Sequence, residues 1–321
     1  YFLLLFVLFF SYLSFQLIIC FKINYIINSY NTLGDLMRKI IMFILMIIAI
    51  LILVNSNVVI NTVIYSINLF KKSIFPSLLP FFIISELLVN YGFVEFISTI
   101  FKPIMNKIFK INSKCAFILV MSMISGFPSN SKYTKDLYLN GEITELEASK
   151  ILMFTHFSNP LFIMGAISIT FINNKKVGLL ILFIHYITNF IVGFLLRNLI
   201  NIDINNSNNI KKENNLSFSN ILSKAILNNF NTLFLILGTI IVFLIIINLL
   251  NEYIDFNPLI KAILSGILEM TGGISNVSNL NISLKLKSTL ITMILSFGGL
   301  SVHMQVKSII ADTPIKYQPY L

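Results

Sequence analysis

Two apolar runs of this sequence stop at glycine and turn polar where no ordinary loop begins. The first passes from Phe117 through Ser125-Gly126-Phe127-Pro128 to Ser129-Asn130-Ser131-Lys132. The second passes from Leu290 through Ser296-Phe297-Gly298-Gly299 to Ser301, His303 and Gln305. In hydrocarbon, a helix break frees backbone groups that only protein or a water-lined cavity can satisfy. One break falls in each half of the chain. Matched interruptions of this kind are the best pointer in a sequence to a transporter's binding site.

Composition makes lipid the solvent. The 321 residues are 56% hydrophobic and 11% charged, where a soluble domain carries about 25% charged residues. The net charge of +10 resides in lysines of short loops between apolar runs. That is the pattern of cytoplasmic loops and anionic headgroups, not of nucleic-acid binding. Cys20 and Cys115 form no redox or metal spacing and are read as buried structural thiols. Arg38 and Arg197 are the only arginines among many Lys, Asn, Ile and Phe. This bias reads as nucleotide composition, so Asn clusters are not taken as functional by themselves.

A helical span needs about 20 apolar residues. Residues 1–20 are the first such run; with no basic region before them and no cleavage site after them, they read as an anchor, not a signal peptide. Further runs lie at 39–54 and 55–70. The run 73–89 is broken by Pro76 and Pro80 and carries Glu86. Residues 94–109, with Lys102, Lys107 and Lys110, suit a helix lying at the interface. The run 115–127 is too short to cross alone, and 151–172 is interrupted by His156, Ser158, Asn159 and Pro160. Residues 177–200 and 232–250 are clean spans; 259–270 is short, and 286–304 is broken at its glycines. Residues 201–220 form a polar connector between halves. Its Lys211 and Lys212, with Lys224 just after it, place it in the cytoplasm, opposite the turn holding Glu252 and Asp255. Pairing Gly126 with Gly299 sets Asn130 opposite His303 and Lys132 opposite Gln305, a weak internal repeat.

Four stretches carry candidate chemistry. In the first, Gly126 permits a sharp turn, and Pro128 and Ser129-Asn130 can start and cap a helix whose N-terminus attracts anions. Lys132 adds a full charge. In the second, Pro160 frees carbonyls beside Ser158 and Asn159, and His156 can titrate near neutral pH; a plain structural kink weighs about equally. In the third, Glu269 precedes Met270-Thr271-Gly272-Gly273, and an intramembrane carboxylate is a functional hypothesis by default. The same logic applies to Glu86. In the fourth, Gly298 and Gly299 allow an unwound turn, after which Ser301, His303 and Gln305 alternate. Each has a bland alternative: a capped loop, a residue reaching the headgroups, or a packed kink. No Walker loop, HExxH, GxSxG or metal-spaced Cys/His cluster occurs, which argues against an enzyme, ATP-driven transport, a cofactor or a metal.

These motifs resemble a known family. Phe75-Pro76-Ser77-Leu78-Leu79-Pro80-Phe81-Phe82, Ser125-Gly126-Phe127-Pro128, Ser158-Asn159-Pro160-Leu161-Phe162, Leu268-Glu269-Met270-Thr271-Gly272-Gly273 and the stretch from Ser296 to Gln305 look like the YlbJ sporulation integral membrane proteins, also called stage V sporulation protein V. The chain departs at Ser129-Asn130, where the family favours small residues, and at His156-Phe157, where Asn-Asn is typical. The resemblance implies a multi-pass protein with nucleoside-recognition or Gate repeats. It implies work in endospore formation, moving dipicolinic acid from the mother cell across the outer forespore membrane.

The expected fold is all-α and polytopic, with two pseudo-repeated halves and broken, re-entrant helices. Residues 1–70 are expected to be N-terminal transmembrane helices and 71–200 a first Gate-like half. Residues 221–321 would be a second half, expected to be truncated because the family continues with a further apolar helix. The expected substrate site is Gly126, Ser129, Asn130, Lys132, Ser158, Asn159, Glu269, Thr271, Gly298, Gly299, His303 and Gln305. Within it Lys132, Ser129 and Asn130 would bind the anion, and Glu269 would pair with Lys132 or His303, or couple protons. The expected partners are a small organic anion and the bilayer. The alternatives are a nucleoside-type transporter and a non-transporting scaffold of spore formation.

Overall fold

The structure is a computed structural model that describes residues 30–200 and 217–320. The apolar run 1–20, Cys20 and most of the connector lie outside the described residues. The described residues hold thirteen α-helices and no strand. Three helical lengths, Lys175–Leu195, Phe218–Tyr253 and Leu284–Ile309, are long and apolar enough to cross a bilayer, and two bent helix pairs are further candidates. The all-α, polytopic reading is correct.

The first helices frame the rest. Helix α1 (Tyr30–Val54) meets α2 (Ser56–Leu69) at 95°. At the corner, Asn55 donates its amide to the Leu51 carbonyl and to the Tyr253 hydroxyl. Along α1 the large side chains from Ile40 to Ile47 are exposed, as a lipid-facing helix requires. The break expected at Pro76 and Pro80 does not occur between α2 and α3 (Phe75–Asn90). Instead residues Phe70–Ile74 widen into a π-helical turn. Pro76 has no N–H for the carbonyl of Lys72 four residues back, and its ring crowds that carbonyl; widening the turn relieves both. Helix α4 (Phe93–Pro103) then leaves α3 at 88°, through Gly92 in the left-handed region. It buries Val94 and Ile97 and exposes Phe96 and Ile100. This right-angle turn is what an interfacial helix needs.

The long helix α9 (Phe218–Tyr253) has 36 residues, a length of about 54 Å. It starts well before the apolar run at 232–250. Ile221, Ala225, Asn229, Leu233, Ile236 and Ile240 are all buried, and this three-to-four-residue stripe extends the packing face toward the connector. Ser217 caps it, accepting from the Asn220 N–H. The α2–α3 path runs antiparallel to α9. Asn248 donates to the Thr62 hydroxyl near one end, and Asn228 and Asn229 donate to Glu86 near the other.

Against this frame lie two modules with one element order: helix, break, helix, turn, helix, break, helix. The first comprises α5 (Cys115–Ser125), α6 (Ser129–Leu139), α7 (Glu145–Leu152) and a π-helical segment, Phe162–Phe171. It is followed by α8 (Lys175–Leu195). The second comprises α10 (Pro258–Leu268), α11 (Met270–Ser278), α12 (Leu284–Phe297) and α13 (Gly299–Ile309). Chain order therefore sets the Gly126 break against Glu269, and the 155–159 break against Gly298-Gly299. The pairing of Gly126 with Gly299 drawn from sequence is displaced by one break. Cys115 is buried and unpaired.

Candidate functional site

All four breaks meet. The first follows Ser125, where Gly126 adopts φ 77° and ψ −177°, a region essentially restricted to glycine. The chain turns through a cis Phe127–Pro128 peptide into α6. The second break is the non-helical stretch 155–159. The two pair directly. The Phe127 N–H donates to the Phe157 carbonyl at 2.7 Å, and the Asn159 amide donates to the Ser125 carbonyl at 3.3 Å. Gly126 is pressed so closely on Asn159 that a Cβ would sit 2.4 Å from its backbone nitrogen.

A non-helical stretch inside an apolar run needs partners for its backbone, and α8 supplies them. The Ser158 N–H donates to His185 Nε2 at 2.9 Å. The Tyr186 hydroxyl reaches the Ser158 carbonyl, and the Asn189 amide reaches the His156 carbonyl. His185, a histidine without a helical-spacing partner in the sequence, thus serves the break.

The third break is Glu269, extended at φ −143° and ψ 122°. Its carboxylate caps α11, accepting from Thr271 N at 3.0 Å and Gly272 N at 2.7 Å. Gly298 and Gly299 form the fourth, with φ of 76° and 77°. A Cβ on Gly299 would stand 2.9 Å from Met270 N, and one on Gly298 would stand 3.0 Å from the His156 ring. The second and third breaks are therefore both in contact with the fourth.

Between them lies a cavity of about 560 Å³, within the usual size of a small-ligand site. Every break contributes to its wall: Ser125, Phe127 and Pro128; Ser158 and Asn159; Glu269 and Thr271; Ser301 and Gln305. Leu161, Phe162 and Gly165 of the first module, with Ile236 and Ile240 of α9, supply apolar wall. Lys72, from the π-helical turn between α2 and α3, completes the lining.

Of the residues singled out in the sequence, Ser158, Asn159, Glu269, Thr271 and Gln305 line this cavity. Gly126, Gly298 and Gly299 shape it without lining it. Ser129, Asn130, Lys132 and His303 do not line it. Lys132 Nζ lies 2.7 Å from Asp136 Oδ2 and 3.6 Å from Glu86 Oε2, so two carboxylates already neutralise it. Ser129 and Asn130 are fully buried in the first turn of α6, and their side chains have no hydrogen-bond partner. His303 Nδ1 pairs with the Tyr317 hydroxyl at 2.7 Å. His156 stacks on Phe127 at 4.7 Å and pairs through Nδ1 with the Tyr320 hydroxyl. The two imidazoles are near-parallel, 6.2 Å apart. They and the C-terminal tyrosines fasten the two modules together beside the cavity. Glu269 pairs with neither Lys132 nor His303, contrary to expectation, because it faces the N-terminus of α11.

Sequence reasoning passed over Lys72 by placing it among loop lysines. The signal was there: no turn residue separates Lys71-Lys72 from the apolar runs on either side, and Pro76 follows at the spacing that disturbs the Lys72 carbonyl.

A family model described as Gate, nucleoside recognition, matches residues 72–175. The match begins at Lys72 and takes in the first two breaks. The sporulation integral membrane protein YlbJ of Bacillus subtilis (strain 168) is 30% identical over 292 residues, covering 79% of this chain and 71% of that protein. No solved structure matches the chain.

Proposed function

The chain belongs to the family of the sporulation integral membrane protein YlbJ, and from that premise we propose that it is a transporter of a small organic anion. The substrate is dipicolinic acid, moved from the mother cell across the outer forespore membrane. The observation that carries this reading is the cavity at the meeting of four helix breaks, with Lys72 on its wall. Lys72 is exposed, at the end of the second helix of the first bent pair, and its ammonium can meet an anion on the cavity wall. The starts of α6, α11 and α13 also lie at the cavity, through Pro128, Thr271 and Ser301. Free N–H groups at helix starts favour anions. Ser158, Asn159 and Gln305 supply neutral hydrogen-bonding groups.

The two modules are read as an inverted repeat. The α5–α6 hairpin enters from the end of α9 near Phe218, since Asp136 and Asn140 share a cavity wall with Ile221 and Lys224. The α10–α11 hairpin enters from the end near Tyr253, since Asn276 and Asn279 share a wall with Asn251 and Asp255. Opposed hairpins meeting at one site are the architecture of alternating access.

Purified protein in vesicles should take up labelled dipicolinate, and no uptake by folded protein would overturn the proposal. Lys72→Ala should weaken apparent affinity about tenfold or more, since a hydrogen bond to a charged group is worth about 1.5–3 kcal/mol. The Gate description favours a second reading, a nucleoside transporter, in which Glu269, Thr271 and Gln305 would hold a neutral ligand. Uridine uptake insensitive to Lys72→Ala would select it.

A further inference from the structure

A second cavity, about 200 Å³, lies at the Phe218 end of α9, the end that carries the connector. Ser85 and Glu86 of α3, Tyr133 and Asp136 of α6, and Asn228 of α9 are on its wall. One side chain links this wall to the central cavity. Tyr133 is 1% exposed and stands edge-on to Phe82 and Phe117, with ring centres 6.4 and 5.8 Å away. Its hydroxyl donates to Ser125 Oγ at 3.1 Å, and Ser125 lines the central cavity. The Tyr133 ring, whose hydroxyl bonds both Ser125 and Ser85, stands between the two walls there.

The helix that carries this ring is held by polar ties. Lys132, next to Tyr133, joins Asp136 on α6 to Glu86 on α3. Glu86 in turn accepts from Asn228 at 3.1 Å and Asn229 at 3.2 Å, both on α9. A clamp of ion pairs and amides beside an open cavity can exchange its partners for water, which a packed apolar seam cannot. The first turn of α6 also carries a reason to move. Ser129 Oγ and both polar atoms of the Asn130 side chain are buried without partners. Such groups are costly where they stand, and a displaced α6 could satisfy them.

We propose that the second cavity is the connector-side entrance to the central one, and that Tyr133 is its gate, shut in this structure. The Lys132 clamp holds the gate closed by tying α6 to α3 and α9. Opening requires the Tyr133–Ser125 bond to break and the ring to leave its place between Phe82 and Phe117. This inference rests on the transport reading, because an entrance matters only if something enters.

The test reads access without any substrate. In a background with Cys20 and Cys115 replaced by alanine, Ser301→Cys, on the central cavity's wall and apart from the gate, is exposed to a membrane-impermeant, charged thiol reagent added from the connector side. With Tyr133 intact, labelling should be slow. Tyr133→Ala should speed it at least tenfold, and Tyr133→Phe, which keeps the ring, much less. Lys132→Gln should also speed labelling, by loosening the clamp while leaving the ring in place; it serves as a second probe if Tyr133→Ala does not fold. Asn140→Cys, exposed on the wall of the second cavity, should label readily whatever stands at 133. Protected Asn140→Cys, or equal Ser301→Cys rates with Tyr and Ala at 133 in folded protein, would overturn the proposal. Gated labelling without dipicolinate uptake would sink the substrate and leave the gate standing.

Discussion

The contact between Gly126 and the 155–159 segment can be tested with four glycine-to-alanine changes that separate two costs. Gly126 has both a positive φ and a backbone neighbour 2.4 Å from where a Cβ would stand. Gly273 has only the close neighbour, the Gly266 Cα at 2.1 Å. Gly141 has only the positive φ, 73°, with open space around it, and Gly238 on α9 has neither. Gly238→Ala should be neutral or stabilising by about 0.5–1 kcal/mol, the helix preference for alanine. Gly141→Ala should cost about 1–2 kcal/mol, the left-handed penalty of an L-residue. Gly273→Ala should cost about 1–3 kcal/mol for overpacking, at the upper end because backbone cannot rotate away. Gly126→Ala carries about 1–3 kcal/mol of dihedral strain and a similar overpacking term, so about 2–6 kcal/mol. It should also part the Phe127–Phe157 hydrogen bond. Thermal unfolding followed by circular dichroism in one detergent should rank the variants from Gly238→Ala, most stable, through Gly141→Ala and Gly273→Ala to Gly126→Ala. If Gly126→Ala melts with Gly238→Ala, the 155–159 segment does not lie against the Gly126 break, and the four-break junction is wrong.

Other outcomes follow from single contacts. Glu269→Gln should lower stability by about 1–2 kcal/mol, because one amide end of Gln would face a donor at Thr271 or Gly272; hydrogen exchange confined to the start of α11 would report it. Thr144 and Glu147 form a reciprocal cap at α7, with the Thr144 N–H donating to Glu147 Oε2 at 2.7 Å. Thr144→Ala should therefore cost about 1 kcal/mol, read in the same melts. In the turn after α13, the hydrogen bond from Lys135 holds the Asp312 carboxyl below its ordinary value of 3.8. Its contribution is full above that value and fades as pH falls through the lowered one. Hydrogen exchange in residues 310–317 should quicken as pH falls below about 4 in the native protein, beyond the intrinsic pH effect, and should not do so in Asp312→Asn.

What could be read from the sequence was local. Glycine and proline inside apolar runs announced the breaks at Gly126, Pro160 and Gly298-Gly299, and a buried acid announced Glu269. These are properties of a few adjacent residues in a known solvent. Which break touches which was not legible, because the Phe127–Phe157 bond and the Gly299–Met270 approach depend on how whole helices pack. Lys132 illustrates the limit. Its neighbours Ser129 and Asn130 made it look like a ligand, yet its partner Glu86 comes from a distant helix. The asparagines set aside as compositional include Asn228 and Asn229, which hold that glutamate. Residue usage explains why asparagine is common here and says nothing about which ones are employed.

In the anion reading, charge around the central cavity bears on how Glu269 can sit beside the ligand. Its carboxylate is committed to two N–H groups of α11. A helix start carries about half a positive charge, so α11 offsets part of that acid and has little left for a ligand. The start of α13 has no side-chain cap. At the start of α6 the Ser129 and Ser131 N–H groups already donate to the Gly126 and Pro128 carbonyls. In the anion reading, a ligand with two carboxylates therefore meets Lys72 and about half a charge from α13, reduced by the remainder of Glu269, less than its own charge. Lys132 does not make up the difference, because it does not line the cavity. Its place instead is between Glu86 and Asp136, where it neutralises acids at the entrance that would otherwise repel an anion before it reached Tyr133.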